Sequence, residues 1–420
     1  VTEARLARVL ARRIGSVAGS LVLGQVMVGL TYVVAARRME PSELGLVATC
    51  YAIATVASTV FDAGLTGYTI REVGGGDLTL RQARRLITAK RRLVPLLVLP
   101  STVATLVITR DPVEGLVLGA IGWAVWEAQT GNALLRMEER FAKAVSAQLT
   151  GRALGLAVVG GLLLAIPPGR ALSVGLATSF AVEALIDYVV LRRNARGAAS
   201  QADLWAVHRR SYSFGIVALA GIGQQLDTPA VTWGGGPAAG GIYAGAGRLL
   251  GPLLFLSWSM ALVGAPWLAR ARADPAGLRR EERRIRLTSA ALCLAPVGAA
   301  AAGPLIIPWV LGDQFAQSGW AFAVLAIGAG LSTLNQGLAL ILQNRGSEHF
   351  VGVTITIGLV TGLVATFVAA ALGGPVWAAA GFVISQVYIL TRLTLRARTA
   401  PARTAEDIGR VGRAADDDQS

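Results

Sequence analysis

The sequence predicts an all-α polytopic membrane protein, with about twelve transmembrane helices in two similar six-helix bundles around a central cavity. Three observations lead there. The 420 residues are 54% hydrophobic and only 15% charged, with a mean hydropathy of +0.56, whereas soluble domains carry about 25% charged residues. Apolar runs long enough to cross a bilayer core, which takes about 20 helical residues, recur along the whole chain. Arginines collect in alternate polar segments, the pattern of a chain that crosses a membrane back and forth.

The length would allow two or three soluble domains, yet no long polar block exists to form one. A formal charge of +14 and a pI near 10.9 invite a nucleic-acid reading. The arginines sit in short segments between apolar runs rather than on one basic face, so no nucleic-acid partner is expected. Cys50 and Cys293 both lie in apolar runs without CxxC spacing and read as small buried hydrophobes.

Arg5, Arg8, Arg12 and Arg13 precede span one, about 14–36, which lacks a small-residue cleavage site and reads as a span rather than a signal. RRMEPSE leads into span two near 43–70. A basic segment follows, with Arg71, Arg81, Arg84, Arg85, Lys90, Arg91 and Arg92. Spans three and four, about 93–109 and 113–135, are joined by ITRDPVE, and RMEERFAK precedes span five at about 142–166. After a PPG turn comes span six, about 170–191, and then the longest internal polar segment, RRNARGAASQADLWAVHRR.

The second half repeats the scheme. Spans seven and eight, about 212–233 and 240–268, are joined by a charge-free Gly and Pro turn. The basic ARARADPAGLRREERRIR precedes span nine at about 287–310, and LGDQFAQSG leads to span ten at about 319–342. Spans eleven and twelve, about 350–372 and 375–395, flank GGP. The expected division is therefore 1–199, 200–398 and a disordered cytoplasmic tail at 399–420. Lys and Arg favour the segments after even-numbered spans and both termini, so both termini are expected on the cytoplasmic side of the cell's inner membrane. Trp233, Trp309 and Trp377 fall at outer helix ends, where indole rings favour the interface.

A weak internal repeat sets MEPSELGLVATCYA against GPAAGGIYAGAGR, with Gly45 opposite Gly241, and Gly67 opposite Gly264. Six spans per half is an even number, so the halves insert in parallel about an axis along the membrane normal. That is a transporter pattern with its site between the halves.

Ionisable groups at depth are costly in lipid and mark a pathway or a partner charge. Asp227 in span seven and Arg248 in span eight have similar expected depths, about 9–10 Å below the outer surface at 1.5 Å per residue. They form either a structural pair or a site in which Arg248 attracts an anionic substrate. Glu127 in span four and Arg152 in span five pose the same choice. Glu183 and Asp187 share a face of span six, with Asp187 expected to be solvated near the cytoplasmic end. Asp62 sits in the inner part of span two, where it caps or pairs. Gln224, Gln225, Asn335 and Gln336 offer hydrogen bonds suited to sugars or to helix contacts.

GAGRLLG at 245–251 lacks the Lys-Ser/Thr ending of a phosphate loop and lies inside a span. His208 and His349 stand apart at segment boundaries, and no HExxH or Ser–His–Asp arrangement is present. No cofactor, metal or ordinary enzyme chemistry is expected.

The layout resembles the polysaccharide and lipid-linked oligosaccharide flippases of the multidrug/oligosaccharidyl-lipid/polysaccharide exporter superfamily. ARRMEPSELGLVA, FDAGLTGYTIRE, QQLDTPAV followed by GGIYAGAGRLLGPL, and PWVLGDQFAQSGWAF carry the likeness over about residues 10–397. The chain departs from the family in being rich in Ala, Gly and Arg where members show bulkier aromatic and Lys-rich segments. The resemblance implies alternating-access export of a polyprenyl-diphosphate-linked glycan, with membrane lipids and glycan-assembly enzymes as partners. Arg152 and Arg248 are then the sensible diphosphate ligands. Asp62 and Glu183 are coupling-ion candidates, and Glu127, Asp227, Gln224, Gln225 and Asn335 complete the substrate set. A drug or cation antiporter of the same superfamily, with H⁺ or Na⁺ at Asp62, Glu127 or Asp227, is the alternative. A glycan polymerase or ligase would want a sizeable outer loop, and every expected outer loop is short.

Overall fold

A computed structural model describes residue 19 and residues 22–192, 204–271 and 275–399. The boundary expected at 199/200 and the tail expected at 399–420 fall on, or almost wholly on, residues outside this set. Among the described residues the ordered elements are all helical. In chain order they are α1 (Val22–Ala36), α2 (Pro41–Asp62), α3 (Leu65–Gly75), α4 (Leu80–Arg91), α5 (Pro95–Thr109), α6 (Pro112–Met137), α7 (Phe141–Leu162) and α8 (Pro168–Arg192). Then follow α9 (Leu204–Ile222), a 3₁₀ turn at Gly223–Leu226, α10 (Asp227–Ala271), α11 (Pro275–Leu311), a 3₁₀ turn at Asp313–Phe315, α12 (Ala316–Asn344) and α13 (Glu348–Thr399).

Two glycines turn this series into twelve spans. Gly236 (φ 86°) and Gly374 (φ 77°) adopt backbone angles open to glycine and rare for other residues. At each the helix doubles back on itself: Gly240 packs on Thr232, while Gly362 and Gly381 pack on Ser385 and Thr366. α10 and α13 are therefore hairpins: the first leg of α10 completes span seven after α9 and the 3₁₀ turn, and the other three legs are spans eight, eleven and twelve. α2 runs on into α3 through the left-handed Ala63–Gly64 step, and α4 runs into α5 with a 46° bend.

Helix starts follow local chemistry. Proline opens α2, α5 and α6, where its missing N–H costs nothing. Asp111 caps α6, accepting from the amides of Val113 (2.9 Å) and Glu114 (3.0 Å). Those amides, with Arg170, hold its carboxyl below the usual carboxylate range. The segment read as a plain basic link before span three is instead partly helical. Thr79 and Gln82 form a capping box that starts α4, and Ala83, Leu86 and Ile87 bury its apolar face.

Within each bundle small residues bring the helices close, as expected where lipid supplies no hydrophobic drive between them. Gly151 and Gly155 of α7 meet Ser179 and Gly175 of α8, and Gly115 and Gly119 of α6 meet Leu106 and Thr102 of α5. In the second bundle Gly303 of α11 packs on Gly319 of α12, and Gly328 of α12 on Phe382 of α13. Trp233, Trp309 and Trp377 are all exposed; Cys50 is fully buried as expected, whereas Cys293 is only half-buried.

The bundles meet chiefly through α2 and α10. Gly45 lies against the Pro237 carbonyl and the Gly241 amide, and Gly241 lies against the Pro41 carbonyl and the Gly45 amide. A Cβ at either position would overlap backbone. These are the two residues that the internal repeat equates, so counterparts of the repeat touch each other. At the same arginine-poor end, Gln314 Nε2 donates to the carbonyls of Ala36 (3.1 Å) and Met39 (2.7 Å). Arg37 donates to those of Trp309 and Val310 (both 2.9 Å), and this end is shut.

Candidate functional site

Away from that seal the seam between the bundles becomes polar. Thr49 and Thr232 share a hydrogen bond of 2.7 Å, and Thr55 donates to Gln225 Oε1 at 2.7 Å. Gln225 and the half-buried Gln224 belong to the 3₁₀ turn that interrupts span seven. Broken helices at depth often frame transport sites, because they free backbone groups from helix bonding. Arg248, also half-buried, lies over two aromatic faces: its guanidinium carbon is 5.0 Å from the Tyr32 ring centroid and 4.7 Å from that of Tyr51. One ring comes from α1 and the other from α2, so an arginine of the second bundle is held by aromatics of the first. Among the described residues no carboxylate lies within ion-pair distance of it. The buried Tyr32 hydroxyl stands beside this guanidinium, which is the polar group it faces.

The expected Asp227–Arg248 pair does not form. Asp227 Oδ2 instead accepts from the Tyr243 hydroxyl at 3.1 Å. The reason is the turn. The expected six-residue link, 234–239, would place Asp227 and Arg248 nearly level, but the hairpin reverses at Gly236 alone. Asp227 is then nine residues from the turn (236 − 227) and Arg248 twelve (248 − 236), so the arginine lies about 4.5 Å deeper at 1.5 Å per residue.

The Glu127–Arg152 pair is also corrected. Glu127 takes Arg91 in a two-pronged contact at 2.6–3.0 Å, with the Trp123 indole at 3.3 Å. Arg152 lies on α7, which packs along α8 and barely touches α6, so its partners come from α8. Its Nη1 donates to Ser179 at 2.7 Å, its Nη2 lies 3.3 Å from Glu183 Oε2, and its carbon sits 3.9 Å above the Phe180 ring. Asp187, expected to be solvated, is fully buried against Gly131, and neither of its oxygens has a hydrogen-bond partner. Arg136 is near enough to act electrostatically on both Glu183 and Asp187.

Asp62 is a structural cap. It accepts from the Thr66 amide (3.0 Å), the Thr66 hydroxyl (2.8 Å) and the Trp126 indole (3.1 Å), which fixes the step from α2 to α3. Lys90 Nζ reaches the Asp62 carbonyl at 2.6 Å and His208 at 3.1 Å, linking α4 to α9. Asn335 is not brought to Arg248. It donates to Gln386 Oε1 (2.9 Å) and to the Gln386 carbonyl (3.0 Å), clamping α12 to the second leg of α13. Sequence reasoning missed Tyr32, Tyr51 and Tyr243. Two of them stand in the motifs that carried the repeat, and their spacing gives no sign of which arginine or acid they meet.

A family model described as "Polysaccharide biosynthesis protein" matches residues 34–320. A comparison with curated proteins finds no match. Among solved structures, an inward-facing multidrug resistance MATE family transporter of the MOP superfamily superposes with a TM-score of 0.71 at 15% identity, covering 91% of this chain and 97% of that one. The lipid II flippase MurJ, in an inward closed conformation, gives 0.73 at 11% identity, covering 92% and 88%. An outward-facing MATE family transporter gives only 0.56 at 16% identity, covering 91% and 94%. These are likenesses of fold.

Proposed function

This chain belongs to the polysaccharide biosynthesis protein family, and from that premise we propose that it flips a polyprenyl-diphosphate-linked oligosaccharide or polysaccharide precursor across the cytoplasmic membrane by alternating access. One observation carries the reading: Arg248 stands at the seam of the two bundles, stacked on Tyr32 and Tyr51, with no carboxylate among the described residues to neutralise it. A diphosphate supplies the missing charge, and guanidinium geometry suits phosphate oxygens. Gln224, Gln225, Thr55 and the Tyr32 hydroxyl are the neutral groups that a sugar would meet beside it. Asp227, held by Tyr243, borders the same stretch of span seven.

The other charges at depth take supporting roles. Arg152 and Glu183 hold α7 to α8, Glu127 holds Arg91, Asp62 fixes the α2–α3 step, and Asn335 clamps the second bundle. With Asp62 and Glu127 so engaged, the cation-antiporter reading keeps only Asp227 of its three candidate sites. The bundles correspond to 1–199 and 200–398. Both termini are cytoplasmic, the arginine-poor end is the outer one, and no enzymatic step is assigned.

The test is export. Arg248→Ala should cut delivery of glycan to the cell surface about tenfold or more, since it removes a charge-assisted contact, while abundance and insertion stay normal. Unchanged surface glycan in that variant sinks the assignment. In a deletion strain, polyprenyl-linked sugar should accumulate facing the cytoplasm; drug hypersensitivity without that accumulation would favour the antiporter.

A further inference from the structure

Spans three and nine carry the same surface pattern at equivalent places. Along α4 and α5, residues 81, 85, 88, 92, 96, 99, 103 and 107 recur every three or four positions and so form one stripe. Its first half holds Arg81, Arg85, Thr88 and Arg92, all at least partly exposed. Its second half holds Leu96, Leu99, Val103 and Val107, which are 60–70% exposed. Along α11 the stripe is Arg279, Arg283, Leu287, Ala290, Leu294, Val297, Ala301 and Leu305, again exposed throughout. Aliphatic side chains left this bare on a membrane helix face acyl chains. The arginines directly above them on the same face therefore stand at headgroup height, where a guanidinium stem can lie along the apolar surface.

Each stripe is seated by an ion pair behind it. Arg84 pairs with Glu138 in the first bundle. In the second, Glu282 takes Arg345 in a two-pronged contact at 2.6 and 2.8 Å. Burial of Ala83, Leu86 and Ile87 on α4, and of Leu278 and Ile285 on α11, fixes which face looks outward. Among the described residues, Arg81, Arg85, Arg92, Arg279 and Arg283 have no carboxylate within ion-pair distance.

We propose that each bundle binds an anionic phospholipid of the surrounding bilayer, its phosphate between Arg85 and Arg92 in one bundle and between Arg279 and Arg283 in the other, its acyl chains along the leucines and valines that continue each stripe. Charge complementarity sets the headgroup, because clustered arginines beside a membrane attract anionic lipid, and the continuous aliphatic stripe sets the tail. The proposal stands apart from the transport reading, since neither stripe uses Arg248.

The test uses the full chain, purified and placed in nanodiscs of phosphatidylcholine alone or with added phosphatidylglycerol, and reads the thermal unfolding temperature. Phosphatidylglycerol should raise it. Arg85→Gln with Arg92→Gln, or Arg279→Gln with Arg283→Gln, should each remove about half of the rise, because distant sites act independently. All four together should abolish it. The same variants should match the parent in phosphatidylcholine alone, which separates lost lipid binding from poor folding. Arg248→Ala and Arg398→Gln should keep the full rise. Equal unfolding temperatures in both lipids overturn the proposal, and so does a rise that survives the fourfold variant. A response to polyprenyl diphosphate but not to phosphatidylglycerol would also overturn it, by making the stripes cargo tracks.

Discussion

The two bundles share punctuation and differ in chemistry. At the end of α6 the amides of Glu138, Glu139 and Arg140 donate to the carbonyls of Leu134, Arg136 and Leu135. At the end of α12 those of Arg345, Gly346 and Ser347 donate to Ile341, Gln343 and Leu342 in the same order. Glu139 (φ 58°) and Gly346 (φ 76°) both take the left-handed conformation that closes such a cap. The ion pair behind each stripe is likewise repeated, but with its charges exchanged: Arg84 to Glu138, Glu282 to Arg345. In the interiors the contrast widens. The first bundle buries Arg152 and Glu183 between α7 and α8 and Asp187 against α6, whereas the second joins α12 to α13 with the neutral amides of Asn335 and Gln386. Backbone turns and close-packed small residues specify the architecture, and the polar filling differs between the halves.

The sharpest way to break this comparison is to remove one partner in each interior. Arg152→Ala leaves Glu183 buried without its cation, and should cost ~3–5 kcal/mol, read as a lowered midpoint of thermal or denaturant unfolding in detergent. Next comes the seam. Gly45→Ala drives a Cβ into the Pro237 carbonyl, so it should destabilise by ~1–3 kcal/mol. It should also weaken disulfide trapping between Thr49→Cys and Thr232→Cys, whose parent hydroxyls are 2.7 Å apart. Gly241→Ala should act alike, and a clear difference between the two would break the equivalence of the halves. Asn335→Ala should cost less than Arg152→Ala, ~1–2 kcal/mol, because only neutral hydrogen bonds are lost. Equal losses in the two bundles would undo the contrast.

The smallest effect concerns Asp111. Its folded-state acidity is strengthened by the Glu114 and Val113 amides and by Arg170, so its contribution is present at neutral pH and fades as pH falls through the depressed value. Asp111→Asn should flatten the acid side of a stability profile slightly.

Much of this was legible in the chain. The runs of apolar residues, the glycine and proline turns at 234–237 and 373–375, and the pairing of Gly45 with Gly241 all reappear in space. Partner choice was not legible. Which acid answers Arg152 depends on α7 lying along α8 rather than α6, and no residue type states that. Depth failed for a local reason, since a reversal at one glycine displaced Arg248 relative to Asp227. The burial of Lys90 under the Asp62 carbonyl was hidden too, because α4 folds back against the bundle with its apolar face instead of remaining a solvated link.

The contact of Gly45 with Gly241 joins a residue to its own counterpart, which is how identical subunits touch across a twofold axis. The single chain thus keeps the geometry of a dimer at that point. Everywhere else the duplicated segments are able to drift apart in sequence, as the exchanged charges at Glu138 and Arg345 illustrate. On the axis they cannot, because enlarging either side demands room that only the other could give up. Variation there has to occur in step, or not at all.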